Sequence, residues 1–164
     1  VRQRLGHLPG LTARCADATS AELEGGFDTV VLLDVVEHIE DDVAFLRRLG
    51  RALQPGGRAV IKVPAGEWLY GTLDQALSHY RRYTPRTLRD TLDRAGFDTQ
   101  RITWFNRVSV PGWFLNGRVL RRRTPPGEQI ALVDRLAPAM EALERWLPLP
   151  LGLSVIAGAT WRGA

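Results

Sequence analysis

An apolar run that ends abruptly in polar residues is the feature that most constrains how this chain can fold. It lies in FDTVVLLDVVEHIEDD, from Phe27 to Asp42, and its centre is Val30 to Leu33. Consecutive apolar residues without polar alternation are typical of a strand buried on both faces, as in a parallel sheet. Ligands of open α/β sheets bind beyond the carboxyl ends of strands, so the polar residues after Leu33 are binding-site candidates.

A helix and a second strand are predicted directly after this strand. EDDVAFLRRLGRALQPGG has acids in its first turn, and its Pro-Gly-Gly sequence at positions 55–57 predicts the end of the helix. RAVIKVPA, from Arg58 to Ala65, is predicted to be a buried strand. The apolar residues that share one face of the helix are Val43, Leu46, Leu49 and Leu53.

Strand and helix signals alternate along the rest of the chain. YTPRTLRDTLDRAGF predicts a helix with Thr84 as N-cap, Pro85 at the first position and Gly96 as the stop. Strands are predicted at LTARCAD, from Leu11 to Asp17, and at FDTQRITWFN and LSVIAGATW. This alternation predicts an α/β fold with a mostly parallel sheet.

The segment from Arg107 to Trp146 is predicted to be helical but interrupted, because proline breaks a helix interior. The apolar stretch from Trp146 to Trp161 contains prolines and is shorter than the roughly 20 residues of a membrane-spanning helix, so we expect a turn followed by a core strand. The breaks in the helical segment are expected at Pro111, at Pro125, Pro126 and Gly127, and at Pro138.

Composition limits the classes of protein that remain. A length of 164 residues with 45% apolar content suits one soluble domain or part of one. Cys15 is the only cysteine, which excludes an internal disulfide and a four-cysteine zinc site, and no metal site is predicted. The first residues lack the apolar core of a signal peptide. A cytoplasmic protein is expected.

The basic charge has two interpretations. The net charge is +4, and Lys62 is the sole lysine among 22 basic residues. Arginine-rich coding in a GC-rich genome explains this balance without a nucleic-acid partner, and none is expected. A solvated basic face is the simpler interpretation of RVLRRR, while peripheral contact with an anionic membrane stays open. The arginines of that run are Arg118, Arg121, Arg122 and Arg123.

Four motifs in this order resemble class I S-adenosylmethionine-dependent methyltransferases that act on small molecules. They are CADAT, FDTVVLLDVVEHIED, LRRLGRALQPGGRAVIKVP and LDRAGF, and the resemblance extends from Leu11 to about Phe105. It implies a Rossmann-like methyltransferase sheet with flanking helices, and S-adenosyl-L-methionine as the cofactor. In the family's order, Phe27–Leu33 corresponds to the fourth strand and Arg58–Ala65 to the fifth.

The resemblance implies cofactor contacts at two strand exits. Asp17 would accept a hydrogen bond from the adenine amine, and the backbone N–H of Ala18 would donate to the ring. Asp34 and Val35 would lie along the cofactor near its sulfonium. The alternative for Asp17 is that it only caps the following turn.

His38 is the candidate catalytic residue. An imidazole with an ordinary pKa near 6.5 can take a proton from a hydroxyl or amine while the methyl group moves. The alternative is that His38 only holds the loop at the site, and Glu37 is a weaker candidate for the same chemistry.

The acceptor pocket is expected between the second strand and the next helix, in AGEWLYGTLDQALSHYRRYTP. Its mixture of aromatic and charged residues suits a binding surface. Arg81 and Arg82 would grip a carboxylate or phosphate, with surface salt bridges as the alternative. LDQALSHYRRYT resembles a subset of these enzymes associated with sugar or cell-envelope modification. The candidate acceptor contacts are Trp68, Tyr70, His79, Tyr80, Arg81, Arg82 and Asn106.

The family's glycine-rich G-x-G-x-G turn and its first two strands have no counterpart in the sequence. We therefore expect an N-terminally truncated, partial methyltransferase domain with impaired activity. Residues 1–66 would be the remaining cofactor-side half, and residues 67–164 the acceptor-side and C-terminal half. Leu11–Asp17 would then pack beside Phe27–Leu33 or leave a gap there.

Two other functions remain as hypotheses. A cofactor-free interaction module derived from this fold would bind a protein partner or an anionic surface through Arg118–Arg123 and the aromatic VPGWFLNG segment. A nicotinamide-dependent Rossmann enzyme fits less well, because the Pro-Gly-Gly turn and the exit after Leu33 match methyltransferases.

Overall fold

The sheet of the computed structural model contains four strands in the spatial order β1-β2-β4-β3. The strands are β1 (Phe27–Leu33), β2 (Leu53–Pro64), β3 (Phe97–Phe105) and β4 (Ser154–Trp161). The helices with described bounds are α1 (Asp42–Ala52), α2 (Thr72–Ala76), α3 (Pro85–Ala95) and α4 (Val110–Phe114), with 3₁₀ turns at Val36–His38 and Glu67–Leu69 and a π-helical segment at Leu115–Val119. The structure describes residues 10–21, 23, 25–124, 127, 135, 136, 140, 142, 144, 146 and 149–163.

One strand of the four departs from the mostly parallel direction that the sequence predicts. β1 pairs with β2 in parallel, but β4 runs antiparallel to both β2 and β3. The antiparallel direction of β4 was not predicted, because β4 enters between β2 and β3, a placement that local pattern does not encode. β1, β2 and β3 nevertheless point the same way. Their carboxyl ends therefore meet at one edge of the sheet, together with the start of β4.

β1 is an edge strand, and the prediction that it is buried on both faces is wrong. Leu32 is buried, whereas Val31 and Leu33 are 56% and 60% exposed. Leu11–Asp17, predicted to be a strand, forms none. Only Leu11 in that segment is a large apolar residue, so pairing would bury little. Of the two expected arrangements, the gap is the one present: no described strand pairs with the outer edge of β1.

The junction of α1 and β2 differs from the predicted boundary. The helix ends at Ala52, and β2 begins at Leu53 rather than Arg58. The Pro-Gly-Gly segment therefore lies inside the strand as an irregularity, since Phe27 pairs with Leu53 but Thr29 pairs with Arg58. Leu53 is still buried, so the helical periodicity identified a core residue but not its element.

α3 begins and ends as predicted. The Thr84 side chain accepts a hydrogen bond from the Thr87 N–H, Pro85 is the first helical residue, and Gly96 closes the helix with a φ of 99°. Leu88 and Leu92 are fully buried in a core that α1 and α3 form against the sheet. This core holds the strand exits in place.

The region after β3 shows one further difference. Pro111 lies at the start of α4 rather than breaking a helix, because the first turn does not need its N–H. The breaks predicted at Pro125, Pro126 and Pro138 lie outside the described residues, whereas Gly127, the other residue of the predicted break, is helical. Within the described part of the chain, no helix has the length and apolarity needed to cross a membrane.

Candidate functional site

A pocket of about 340 Å³ opens at the edge of the sheet where β1, β2 and β3 end and β4 begins. This is the edge at which open α/β sheets bind ligands. The structure places five of the sequence-predicted site residues in the pocket wall: Asp34, His38, His79, Arg82 and Asn106. The other lining residues are Glu37, Lys62, Pro64, Leu77, Phe105, Trp113, Leu153 and Ser154.

Asp34 marks the exit of β1 and has a left-handed backbone with a φ of 54°. Its N–H donates to the carbonyl of Lys62 at 3.0 Å, which continues the ladder one residue past the strand. The Lys62 ammonium donates to the Asp34 carboxylate at 2.5 Å. This ion pair places the chain's sole lysine at the pocket, where sequence reasoning had given it no role.

The 3₁₀ turn Val36–His38 directs two side chains toward the pocket. Glu37 is only 1% exposed, and neither carboxylate oxygen has a hydrogen-bond partner among the described residues. Burial, with the negative charge of Asp34 adding to it, raises the pKa of Glu37 to about 7. His38 is adjacent, with a side chain 38% exposed. The turn thus pairs a buried acid with a solvent-accessible imidazole.

His79 completes this group from the loop that follows α2. Its Nδ1 lies 3.0 Å from the Asp74 carboxylate, which also accepts from Arg82 Nε at 2.7 Å and from the Gly71 N–H at 3.0 Å. Burial alone would raise the pKa of Asp74, but hydrogen bonds and charge from His79 and Arg82 outweigh it and lower that pKa. Because ionised Asp74 only accepts hydrogen bonds, Nδ1 of His79 is the donor and Nε2 faces the pocket.

Glu37, His38 and His79 therefore form one cluster, called here the Glu-His-His cluster. Glu37 Oε1 lies 3.9 Å from His38 Nε2 and 4.0 Å from His79 Nε2, and the two imidazole rings meet edge to face at 4.7 Å. A carboxyl whose pKa is near neutrality, beside two imidazoles, can accept and pass on a proton. Sequence reasoning favoured His38 over Glu37 because burial of the acid is not visible in the local pattern.

The predicted adenine contacts lie in a turn outside the pocket wall. The Asp17 carboxylate accepts hydrogen bonds from the N–H and hydroxyl of Thr19, and these bonds lower its pKa. Asp17 therefore does cap the following turn. The carbonyl of Ala18 accepts from Arg48 on α1, which anchors the turn to the helix. Val35 is half-buried at the start of the 3₁₀ turn and packs against the core.

Four predicted acceptor contacts lie outside the pocket wall. Arg81 forms an ion pair of 2.9 Å with Asp42, which agrees with the alternative interpretation of Arg81 as a salt-bridge residue. Tyr70 donates its hydroxyl hydrogen bond to the carbonyl of His79 at 2.8 Å and so supports the loop. Trp68 and Tyr80 are more than half exposed.

Arg82 and Asn106 line the pocket by different means. Arg82 is buried, pairs with Asp74 and stacks over the Trp113 ring at 4.9 Å. Asn106 follows β3 with a left-handed φ of 58°, and its N–H donates to Glu144 at 3.2 Å. Trp113 was missed as a pocket residue because only the packing of α4 over Arg82 brings it there.

Comparison with known proteins identifies the family. A family model described as a methyltransferase domain matches residues 9–102. The chain belongs to the class I S-adenosylmethionine-dependent methyltransferases.

The ubiquinone biosynthesis O-methyltransferase of Cereibacter sphaeroides (strain ATCC 17025 / ATH 2.4.3) is 30% identical over 129 residues, covering 68% of this chain and 52% of the relative. That of Xanthomonas euvesicatoria pv. vesicatoria (strain 85-10) is 28% identical, covering 56% and 46%. The chain spans about half the length of these relatives.

Solved structures share the fold. An S-adenosylmethionine-dependent methyltransferase from Mesorhizobium loti superposes with a TM-score of 0.54 at 18% identity, covering 88% of this chain and 67% of that one. The [4+2]-cyclase SpnF has the same TM-score at 20% identity, covering 92% and 56%. SpnF is named as a cyclase, so the fold by itself does not define the reaction.

Proposed function

We propose that this protein transfers a methyl group from S-adenosyl-L-methionine to an oxygen atom of a small-molecule acceptor. The observation that carries the proposal is the Glu-His-His cluster in a pocket at the carboxyl ends of the strands. Family membership supports the cofactor, and the O-methyltransferase names of the relatives support oxygen as the acceptor atom. The assay described below distinguishes a phenolic acceptor from one related to sugars and the cell envelope.

In the proposed reaction S-adenosyl-L-methionine would supply the methyl group, and the acceptor oxygen would displace it from the sulfonium sulfur. The carbon–sulfur bond would break as the carbon–oxygen bond forms, and S-adenosylhomocysteine would leave. The hydroxyl proton passes to Nε2 of His38, whose partly exposed ring can release it to solvent. Positioning supplies most of the acceleration in such a displacement, so few catalytic side chains are needed.

Cofactor contacts are proposed on both sides of the β1 exit. Asp34 and Val35 would lie along the sulfonium end, and Asp17 and Ala18 would contact adenine. Support comes from Arg48 on α1, which donates to the carbonyls of both Ala18 and Ala21 and so fixes the Asp17 turn to that helix. Because the sequence has no G-x-G-x-G turn for the carboxypropyl end, we propose that the 164-residue chain binds the cofactor weakly.

Acceptor contacts are proposed both in the pocket wall and at exposed residues outside it. His79, Arg82 and Asn106 would surround the reacting end of the acceptor, since they line the pocket. The exposed rings of Trp68 and Tyr80 would contact a longer acceptor, and Tyr70 and Arg81 would position the loop that carries them.

The test compares wild type with His38→Gln in the product of the whole gene that contains this sequence. Methyl transfer to a panel of phenols and sugar hydroxyls is followed by S-adenosylhomocysteine release. We expect kcat to fall about 10²- to 10⁴-fold, with cofactor affinity unchanged by calorimetry. Glu67→Gln, an exposed site outside the pocket, is the control. A His38→Gln variant that keeps wild-type kcat would refute the base role, and no cofactor binding by wild type would refute methyl transfer.

A second candidate is the cofactor-free interaction module, favoured by one surface feature. The helical segments Val110–Phe114 and Leu115–Val119 expose apolar side chains beside the basic run 118–123. Apolar rings flanked by arginines suit the interface of an anionic membrane. Binding to anionic vesicles that weakens with salt, without cofactor binding in the calorimeter, would favour this candidate. The exposed apolar residues are Phe114, Leu115, Val119 and Leu120.

A further inference from the structure

We propose that the Glu-His-His cluster of Glu37, His38 and His79 is a binding site for one divalent transition-metal ion. Two imidazole nitrogens and one carboxylate oxygen are the ligand set that Zn²⁺, Mn²⁺ and Fe²⁺ use when they leave positions open for water or substrate. The sequence analysis predicted no metal site, because the three residues come from two separate segments of the chain.

The spacing of the ligand atoms supports one shared ion. One ligand atom from each residue lies within 4.8 Å of the other two. Ligand atoms about 2.1 Å from a tetrahedral Zn²⁺ are roughly 3.4 Å apart, so the cluster must contract by about 1 Å. His38 is the most exposed of the three residues, so its ring is the least constrained by packing.

The buried carboxylate of Glu37 supplies a second, independent observation. Its side chain is 99% removed from solvent and lines the pocket, and both oxygens lack a hydrogen-bond partner among the described residues. A buried polar group without a partner is costly, and native structures usually satisfy it with a water, an ion or a ligand. A cation between Glu37 and the two imidazoles removes that cost.

The surroundings of His79 match those of a metal ligand. Histidines that bind metals usually donate their other ring N–H to a carboxylate, which fixes the tautomer and raises the basicity of the coordinating nitrogen. Asp74 holds Nδ1 of His79 in this way at 3.0 Å, so Nε2 presents its lone pair to Glu37. The Tyr80 N–H donates to the Glu37 carbonyl at 2.8 Å and ties the two segments together.

The charges around the site also permit a cation. Lys62 and Arg82 are the cationic side chains in the described pocket wall, and each is already paired, with Asp34 at 2.5 Å and with Asp74 at 2.7 Å. Glu37 adds a third carboxyl group beside Asp34 and Asp74, and it becomes a full negative charge once a cation displaces its proton. The positive field of Lys62 and Arg82 therefore does not exclude an ion.

Binding of an ion to the Glu-His-His cluster does not depend on whether the protein transfers a methyl group. A role of the ion in catalysis, in contrast, rests on the proposed function. An ion at the pocket wall can coordinate the acceptor hydroxyl and lower its pKa. His38 would then be a ligand, and the proton would leave to solvent rather than to the imidazole.

The experiment titrates the tag-free, chelator-treated 164-residue chain with Co²⁺ and with Zn²⁺. We expect one ion per chain by calorimetry, with visible Co²⁺ bands that report nitrogen ligands. Loss of a residue that only hydrogen-bonds to a metal ligand weakens metal binding roughly 10- to 100-fold. Because Glu37 and His38 would be ligands themselves, Glu37→Gln and His38→Gln should each weaken binding at least that much. Glu67→Gln should bind as wild type does. His38→Gln changes a partly exposed side chain, so it remains informative if the buried variant fails to fold.

Four outcomes test the ion site and its proposed catalytic role. A stoichiometric ion that all variants bind equally overturns the site, as does the absence of ion binding in wild type. Ion binding that is lost in Glu37→Gln and His38→Gln supports the site even when no methyl transfer is detected. Methyl transfer that is unaffected by chelation and by added metal supports the His38 base and rejects the catalytic role of the ion.

Discussion

Glu37 carries an electrostatic cost that follows from its position. Asp34, His38, His79 and Lys62 face its carboxylate, yet burial dominates and raises the pKa of Glu37 from about 4.5 to about 7. The folded protein therefore binds this proton more tightly than the unfolded chain does. The contribution of Glu37 to stability is most favourable below the unfolded pKa and falls as pH rises from about 4.5 to about 7.

Glu37→Gln should remove this pH-dependent cost. In the presence of a chelator, the variant should gain up to about 3 kcal/mol of unfolding free energy over wild type at pH 8, and little at pH 5. An amide has nearly the same shape as a carboxyl and carries no charge. Urea unfolding at the two pH values measures the difference.

Glu67→Gln, at an exposed site, serves as the control and should behave as wild type at both values. An equal effect of Glu37→Gln at pH 5 and pH 8 would show that ionisation of Glu37 is not the cause.

At the scale of single elements, α3 shows how local signals define a helix. Thr84 and Thr87 exchange hydrogen bonds at its start, with 3.1 Å from the Thr87 N–H to the Thr84 hydroxyl and 2.9 Å in the return direction. Pro85 and Gly96 define its two ends. Each of these signals depends on neighbours within one helical turn, which is why the sequence predicts them.

Thr84→Ala should destabilise the protein by about 1 kcal/mol, because the Thr87 N–H loses its acceptor. Thr84→Ser keeps the hydroxyl and should stay close to wild type. The midpoints of urea unfolding measure both. A Thr84→Ala variant as stable as Thr84→Ser would show that the cap hydrogen bond does not contribute.

At the scale of the whole molecule, the outer edge of β1 is the main exposed apolar feature of the described sheet. Val31 and Leu33 are exposed on one face, and the backbone of β1 pairs only with β2 among described strands. An unpaired strand edge with apolar side chains favours pairing with another chain.

Val31→Lys should reduce concentration-dependent association of the 164-residue chain, since a charge on an edge strand opposes pairing. Sedimentation velocity over a range of concentrations measures the effect. Val119→Lys, an apolar-to-lysine change away from the sheet, is the control. Wild-type protein that stays monomeric at all concentrations would contradict this interpretation of the edge.

The candidate site could be predicted only in part. Asp34 and His38 were found because they directly follow a strand, a local signal at a known functional edge. Lys62 and Trp113 were missed, and Glu37 was underrated. Lys62 matters through an ion pair across the parallel ladder, Trp113 through stacking on Arg82, and Glu37 through burial. None of these properties is visible in a run of neighbouring residues.

By itself the sequence determined the order of strands and helices from Phe27 to Phe105, the caps of α3 and the strand exit that carries Asp34 and His38. These features depend on hydrophobic periodicity and on backbone preferences within a few residues. Only the tertiary structure decided that β4 runs antiparallel between β2 and β3, and that β1 is left at the edge. It also decided that His79 meets Glu37 and His38, because that contact depends on how the loop after α2 folds over the 3₁₀ turn.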